Sequence, residues 1–270
     1  MEEIISLRNI SYSYFGKIPA LKNINLSVGK GEMFSIIGLN GSGKSTLLHI
    51  MNGLIFPDSG EVMFNGSPVT ESSLKTGTGS ILRRSMGFIF QNPDIQLFCP
   101  TVMDELMFGP LQLNLDDAIA RDRAEQTLSY LGIANLKDRS VHMLSGGEKK
   151  KVAIASVLTM NPEIILVDEP FSSLDPKSQT FFTEMLLDLN HSGKTIIFAT
   201  HHLDLVDHLQ PRVAILTEDH TIRKTGSAEE IINDTELLAE VNLIHEHTHT
   251  HGGKEHKHYH SHYVFHNHRK

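Results

Sequence analysis

The sequence predicts an α/β fold with a buried parallel sheet, and three stretches predict it. An apolar, β-rich run, Met33–Ile37, leads through a glycine-rich loop into a helix. A second apolar run, residues 164–168, ends in two carboxylates. A Ser-Gly-Gly-Glu sequence, residues 145–148, opens a further helix. Runs of this length and composition read as strands buried on both faces. Acids at their carboxyl ends lie where open α/β sheets bind ligands.

The loop is Gly38-Leu39-Asn40-Gly41-Ser42-Gly43-Lys44-Ser45-Thr46, which fits the pattern G-x-x-x-x-G-K-[ST] in full. Gly38, Gly41 and Gly43 let the backbone turn so that N–H groups point inward at phosphates. Lys44 supplies a charge for the β- and γ-phosphates, and the Ser45 hydroxyl suits Mg²⁺. Thr46–Met51 continues as a helix. Strand, loop and helix together distinguish this turn from a glycine-rich connection that binds nothing.

The run Ile164–Val167 ends in Asp168 and Glu169. Asp168 is placed to hold Mg²⁺ and Glu169 to polarise an attacking water. Alone, such a pair reads as a strand end facing solvent; the loop upstream gives it chemistry. Leu144-Ser145-Gly146-Gly147-Glu148 supplies a second phosphate-binding helix start, where backbone N–H groups and a hydroxyl meet the positive end of the dipole. One P-loop already cradles one nucleotide, so a second loop needs a reason.

Together these residues resemble the ATP-binding cassette (ABC) family, the ATPases of ABC transporters, over about residues 3–240. The resemblance implies a P-loop NTPase cassette with a RecA-like core, an antiparallel β subdomain and an α-helical signature subdomain at about 92–158. It implies Walker A at Gly38–Thr46, with Asn40 and Ser42 among its nucleotide-binding residues. Ile164–Asp168 is then the Walker B strand, and Glu169 the catalytic glutamate. Gln91, after the strand Met86–Phe90, is the Q-loop glutamine, contacting Mg²⁺ and the attacking water. Ser172–Asp175 is the D-loop, with Asp175 as its acid. His201, after the strand Thr195–Ala199, is the switch histidine, with His202 directly beside it. Tyr14 stacks on adenine, with Tyr12 and Phe15 as competitors. Ser145, Gly146, Gly147 and Glu148 form the signature that binds the γ-phosphate held by a partner cassette. The chain has one copy of each motif, so it is expected to dimerise, with itself or a related cassette.

Composition narrows what such a clamp drives. No stretch approaches the roughly 18 apolar residues that cross a membrane. The start Met1-Glu2-Glu3 is acidic, unlike a signal peptide. The lone Cys99 allows no internal disulfide and fits a reducing cytoplasm. A formal net charge of −8 argues against a nucleic-acid partner. A peripheral subunit on the cytoplasmic face, beneath integral-membrane subunits, is expected.

The segment Phe90–Phe98, followed by Thr101–Pro110, is similar to the energy-coupling factor subgroup of ABC importers, which carry vitamins, cobalt and nickel. Glu148 at the last signature position fits the same subgroup. Thr101 with Glu105 marks a helix start one residue off a strict capping box. Val102, Leu106, Met107 and Phe108 either pack inside the helical lobe or form a groove for a short helix of a membrane partner. Lys149–Lys151 read mostly as a solvated helix face.

The remaining elements fit a two-lobed cassette. Ile4–Tyr14, Ile24–Val28 and Glu61–Phe64 read as strands, Ser72–Ser80 as a mobile loop, and Asp116–Leu131, Pro176–Asn190 and Ala228–Asn242 as helices. Val213–Leu216 and Thr221–Lys224 suggest a hairpin. The cassette is expected to span 1–244. Residues 245–270 carry ten of the seventeen histidines: His245, His247, His249, His251, His256, His258, His260, His262, His266 and His268. Their alternation suits Ni²⁺, Co²⁺ or Zn²⁺ on an extended chain, and the scarcity of apolar residues predicts disorder. No His-His pair occurs there, unlike a purification tag; a tail without a role is the other reading. The whole predicts the ATPase subunit of a cobalt or nickel importer. Alternatives are a zinc or vitamin importer, a soluble ABC protein, or a cytosolic metal store.

Overall fold

The computed structural model describes residues 2–75, 77–172, 174–251 and 254–261. The chain opens with two long strands, β1 (Glu3–Tyr14) and β2 (Ile18–Gly29), paired antiparallel, then β3 (Met33–Ile37) and α1 (Lys44–Met51). β4 (Ser59–Phe64), the two-residue β5 (Ser67–Pro68), α2 (Gly77–Ser85) and β6 (Met86–Ile89) follow. The helices α3 (Val102–Gln112), α4 (Asp117–Tyr130) and α5 (Gly146–Leu158) come next. The second half alternates strand and helix: β7 (Ile164–Asp168), α6 (Pro176–His191), β8 (Thr195–Thr200), α7 (Leu203–Leu209), β9 (Arg212–Leu216), β10 (Ile222–Ser227), α8 (Ala228–Ile232) and α9 (Thr235–Glu240). The last two strands are β11 (Ile244–His251) and β12 (Lys254–Ser261).

A six-stranded sheet has the order β10-β9-β3-β8-β7-β6, parallel except for the edge strand β10. Every residue of β3, β7 and β8 is buried, as expected of strands covered on both faces. The register decides where the site lies. Ile37 is level with Thr200, and Asp168 with Ala199. The P-loop, the acid pair and the His pair therefore leave the sheet along one carboxyl edge.

A separate antiparallel sheet, β2-β1-β4-β5, closes over α1. Ile5, Ile24, Val28, Leu47, Leu48 and Ile197 belong to the core between that sheet, α1 and one face of the large sheet. A second core joins the other face to α3–α6 through Ile89, Leu106, Val152, Val167, Phe182 and Phe198.

The structure corrects the sequence reading at three described places and decides between two readings at a fourth. Ser72–Ser80 is not a loop throughout: Ser73–Lys75 forms a short 3₁₀ turn and residues 77–80 open α2, held down by Leu82, which is 1 % exposed. That anchor lies past the polar window, so the window alone hides the helix. Ala228–Asn242 is not one helix; it breaks at Asn233, and the Asp234 side chain caps α9 by accepting from the Leu237 N–H at 3.1 Å. On α3, Val102, Leu106 and Met107 are buried and only Phe108 of the four is exposed, so internal packing takes most of that face. Lys149–Lys151 do not form a solvated face: Lys150 is fully buried and Lys149 pairs with Asp94 at 2.6 Å.

Within the tail, whose composition predicts disorder, β11 and β12 pair antiparallel. His245 stands opposite His260, His247 opposite His258 and His249 opposite His256. His262, His266 and His268 lie outside the described residues.

Candidate active site

Gly43 precedes α1 with φ +111°, and a Cβ there would collide with the Ala20 carbonyl oxygen. Only glycine lets this turn bring the first helical N–H groups around a phosphate. Lys44 opens α1 and is 6 % exposed. Its Nζ donates to the carbonyls of Gly38 (2.8 Å) and Leu39 (3.1 Å) and lies 3.5 Å from Glu169 Oε1. Burial lowers its pKa, with Glu169 and Asp168 opposing. Tyr14, at the end of β1, hydrogen-bonds through its hydroxyl to Thr46 Oγ1 at 2.9 Å. Phe15 is 91 % exposed and Tyr12 packs edge-on against Tyr14, so Tyr14 is the aromatic of the three tied to the loop.

Asp168 ends β7 and Glu169 follows it, each 5 % exposed. Burial raises the Asp168 pKa, a hydrogen bond from Ser45 opposes it, and its Oδ1 is buried with no hydrogen-bond partner. A buried carboxylate oxygen beside a hydroxyl suits a hard divalent cation such as Mg²⁺. Glu169 sits at φ +45°, an uncommon conformation for a non-glycine residue, and its N–H is held by the Ala199 carbonyl at 3.0 Å. His201 Nδ1 is 2.8 Å from Glu169 Oε1, and Thr200 Oγ1 reaches Oε2 at 3.4 Å. Burial alone would raise the Glu169 pKa. The His201 hydrogen bond, with Lys44, His201 and His202 nearby, more than offsets it and holds the carboxyl below its ordinary value. The His202 ring lies 4.2 Å from that of His201, and burial lowers its pKa. Glu169, His201 and His202 bring ligand-type atoms within 4.8 Å of one another.

Ser145 caps α5 in a capping box. Its N–H and Oγ both donate to Glu148 Oε2 at 2.8 Å, and Oγ accepts from the Glu148 N–H at 3.4 Å. Those hydrogen bonds lower the Glu148 pKa, and Arg139 stands 3.7 Å from its carboxylate. Among the described residues, no hydrogen bond or ion pair joins residues 145–148 to residues 38–46. Gln91 follows β6 and is exposed. Asp175, expected as the D-loop acid, caps α6, accepting from the Ser178 N–H (3.1 Å) and hydroxyl (2.7 Å). Ser173 of that loop lies outside the described residues.

Residues 21–172 match the ABC transporter family. The chain belongs to that family, as an ATP-binding cassette. It is 40% identical over 245 residues to an energy-coupling factor transporter ATP-binding protein, EcfA, of Methanosphaera stadtmanae, covering 90% of this chain and 86% of that one. It is 40% identical to the nickel import ATP-binding protein NikO of Rhodobacter capsulatus, covering 90% and 97%. The solved structure of cbiO1 from Clostridium perfringens, part of the ABC transporter complex cbiONQ, superposes with a TM-score of 0.75 at 35% identity, covering 90% and 96%. The cassette is thus an ATPase that powers transport, and its relatives include an energy-coupling factor cassette, a nickel import cassette and a component of a cbiONQ complex. Among the described residues no helix is long and apolar enough to cross a membrane.

Two groups escape motif reading of the cassette. His220, at φ +66° in the β9–β10 turn, places Nδ1 3.0 Å from the Ser42 carbonyl of the P-loop. Lys150 directs its Nζ at the carbonyls of Phe90 (2.9 Å) and Gln91 (3.3 Å); burial lowers its pKa to about 8. The sequence signal for Lys150 is its helical spacing. It lies three and four residues before Ala153 (0 % exposed) and Ile154 (3 % exposed), and so on the buried side of α5.

Proposed function

We propose that this cassette is the energy-coupling subunit of an importer for cobalt or nickel ions, working as a dimer on the cytoplasmic face of the membrane beneath integral-membrane subunits. The observation that carries the cargo is its likeness to a nickel-import cassette over nearly the whole of both chains. The likeness to a cbiONQ component supports it.

Chemically, the P-loop amides and Lys44 bind the β- and γ-phosphates of ATP, and Tyr14 stacks on adenine. Ser45, Asp168 and Gln91 would hold Mg²⁺, which when bound would neutralise charge on the phosphates. Glu169, oriented by His201, takes the proton of the attacking water. Ser145, Gly146, Gly147 and Glu148 complete the site of a second copy. Their separation from the P-loop of their own chain supports that reading, because each chain then holds half of two sites.

A groove of about 580 Å³, lined by Gln96, Phe98, Phe108 and Met160 among others, lies between α3, α5 and the segment after β6. Phe98 and Phe108 meet edge to face at 4.9 Å, and both are exposed. A short amphipathic helix of the membrane partner fits there. The His-rich tail adds a site for the transported ion on the cytoplasmic side. The cross-strand pairing of His245 with His260, His247 with His258 and His249 with His256 supports it.

The test is uptake of radiolabelled nickel and cobalt by cells carrying the complete transporter, comparing wild type with Glu169→Gln. ATP-dependent uptake lost in the variant is expected. Uptake of zinc or a vitamin instead would replace the cargo. Full function of the chain without membrane subunits would overturn the transport reading.

A further inference from the structure

The loop that carries Gln91 is fastened along one face of α5. Phe90 and Gln91 present their carbonyls to the Lys150 ammonium at 2.9 and 3.3 Å. Asp94 binds the Lys149 ammonium at 2.6 Å. Gln96 donates to the Ala153 carbonyl (2.7 Å) and to Ser156 Oγ (3.1 Å), while its amide oxygen accepts from the Phe90 N–H (3.2 Å). Positions 149, 150, 153 and 156 lie along one side of a helix. The same helix begins at Ser145, the residue assigned to the partner's ATP.

Lys150 is the unusual member of this seam. Its side chain is 0 % exposed. Burying an ammonium is costly unless hydrogen bonds replace water, and a Met of similar length would fill the space without that cost. Two carbonyls satisfy it here, and Asp168 and Glu169 lie near enough to favour its charge. Those carbonyls flank the side chain of Gln91 itself.

We propose that Lys150 is a positioning residue that locks the Gln91 loop to the signature helix, so that Ser145 engaging the partner's ATP sets where Gln91 stands in its own chain's site. The bland alternative is a lysine that only closes off two strand-end carbonyls. A purely structural cap would not couple the two ATP sites of a dimer; a rigid seam from residue 145 to residue 91 does. The proposal rests on the reading of Gln91 and Ser145 given above.

The test uses the purified full-length chain. Steady-state ATPase rates and binding of a fluorescent ATP analogue are measured for Lys150→Met, Lys150→Arg, Gln91→Ala and the double variant Lys150→Met/Gln91→Ala. Lys150→Met is expected to lower kcat by about tenfold while KM and analogue affinity stay within about twofold. Lys150→Arg, which keeps charge and donors, is expected to recover at least about half the rate. The double variant is expected to be no slower than Gln91→Ala alone, because both changes act through one group. Hydrogen exchange is expected to rise over residues 90–96 in Lys150→Met and to stay unchanged over 44–51. If Gln91→Ala leaves kcat intact, the assignment of Gln91 fails and takes this proposal with it. If Gln91→Ala lowers kcat while Lys150→Met does not, or the two losses multiply, the Lys150 proposal alone is overturned.

Discussion

His201 Nδ1 lies 2.8 Å from Glu169 Oε1, the same oxygen that Lys44 Nζ approaches at 3.5 Å. The histidine thus orients a carboxylate that is itself kept ionised. Replacing Glu169 by Gln preserves shape and removes both the charge and the proton acceptor. ATPase turnover is expected to fall at least about a hundredfold. Nucleotide binding should persist, since the P-loop amides and Lys44 are untouched. Without turnover, ATP should hold the chain as a dimer on size-exclusion chromatography, whereas ADP should not. Rapid turnover in the variant would remove the general-base assignment.

Ser145 donates to Glu148 within its own helix start and, among the described residues, makes no hydrogen bond to the P-loop of its chain. A bulky cation at Ser145 should therefore block hydrolysis by preventing a partner's phosphate from docking. It should leave ATP affinity of the isolated chain within about twofold. Measuring both on Ser145→Arg separates the roles. Lost affinity in the monomer would mean that the two loops serve one site in cis.

Much of this site is legible in the sequence because its parts are local. Residues 33–37 and 164–168 are continuous apolar runs, as strands buried on both faces must be, and the loop after the first satisfies a strict spacing. The histidine order is less so: nothing local says that His201 rather than His202 reaches Glu169, and the sheet register decides it. The lysines 149–151 are misread because solvation is the default for a charge run. Only tertiary contact reveals that the carbonyls of Phe90 and Gln91 need a donor there. Thr101 does start α3, its hydroxyl accepting from the Asp104 N–H at 3.2 Å, but Glu105 takes no part in that cap. Asp104 occupies the third helical position and accepts from the Thr101 hydroxyl at 2.6 Å. Glu105 turns back to a loop that sequence spacing does not show.

That turn gives Glu105 its own prediction. Its carboxylate is 4 % exposed and Oε2 accepts from the N–H groups of Phe98 (2.9 Å) and Cys99 (2.8 Å). Glu105→Leu leaves both donors without partners and is expected to destabilise the fold by about 2–3 kcal/mol. Glu105→Gln, which keeps one accepting oxygen, should cost less. Denaturant titration of the two variants checks the order. An equal effect would mean that the hydrogen bonds contribute little.

The Cys99 thiol, in the same corner, is raised to about 11 by burial, with Glu105 adding to it. A thiol with that pKa is roughly one part in a thousand thiolate at pH 8. The reaction of Cys99 with a disulfide reagent at that pH should be slow in the native protein and fast after unfolding. The sign follows: folding favours the protonated thiol, so its contribution to stability is complete below the unfolded pKa and is lost as pH rises towards about 11. In Glu105→Leu the cysteine should react faster natively, because one raising influence is gone and the loop is looser. A native rate equal to the unfolded rate would place the thiol at the surface.

The tail separates energy conversion from metal handling. A chain ending at Ile244 keeps the P-loop, the acids, His201 and the signature, so its ATPase rate should match that of the full chain within about twofold. Its Ni²⁺ and Co²⁺ binding, measured by calorimetry, should fall by most of the stoichiometry, since ten histidines are removed. Imidazole binds metal only when neutral, and its ordinary pKa is about 6.5. Metal binding by the full chain should therefore be strong near pH 7.5 and weak below about pH 5.5, with protons released on binding. Unchanged stoichiometry after truncation would locate the metal elsewhere. The cluster of Glu169, His201 and His202 would then be the next place to look, and it predicts a different result: metal bound there would compete with Mg²⁺-ATP and inhibit hydrolysis.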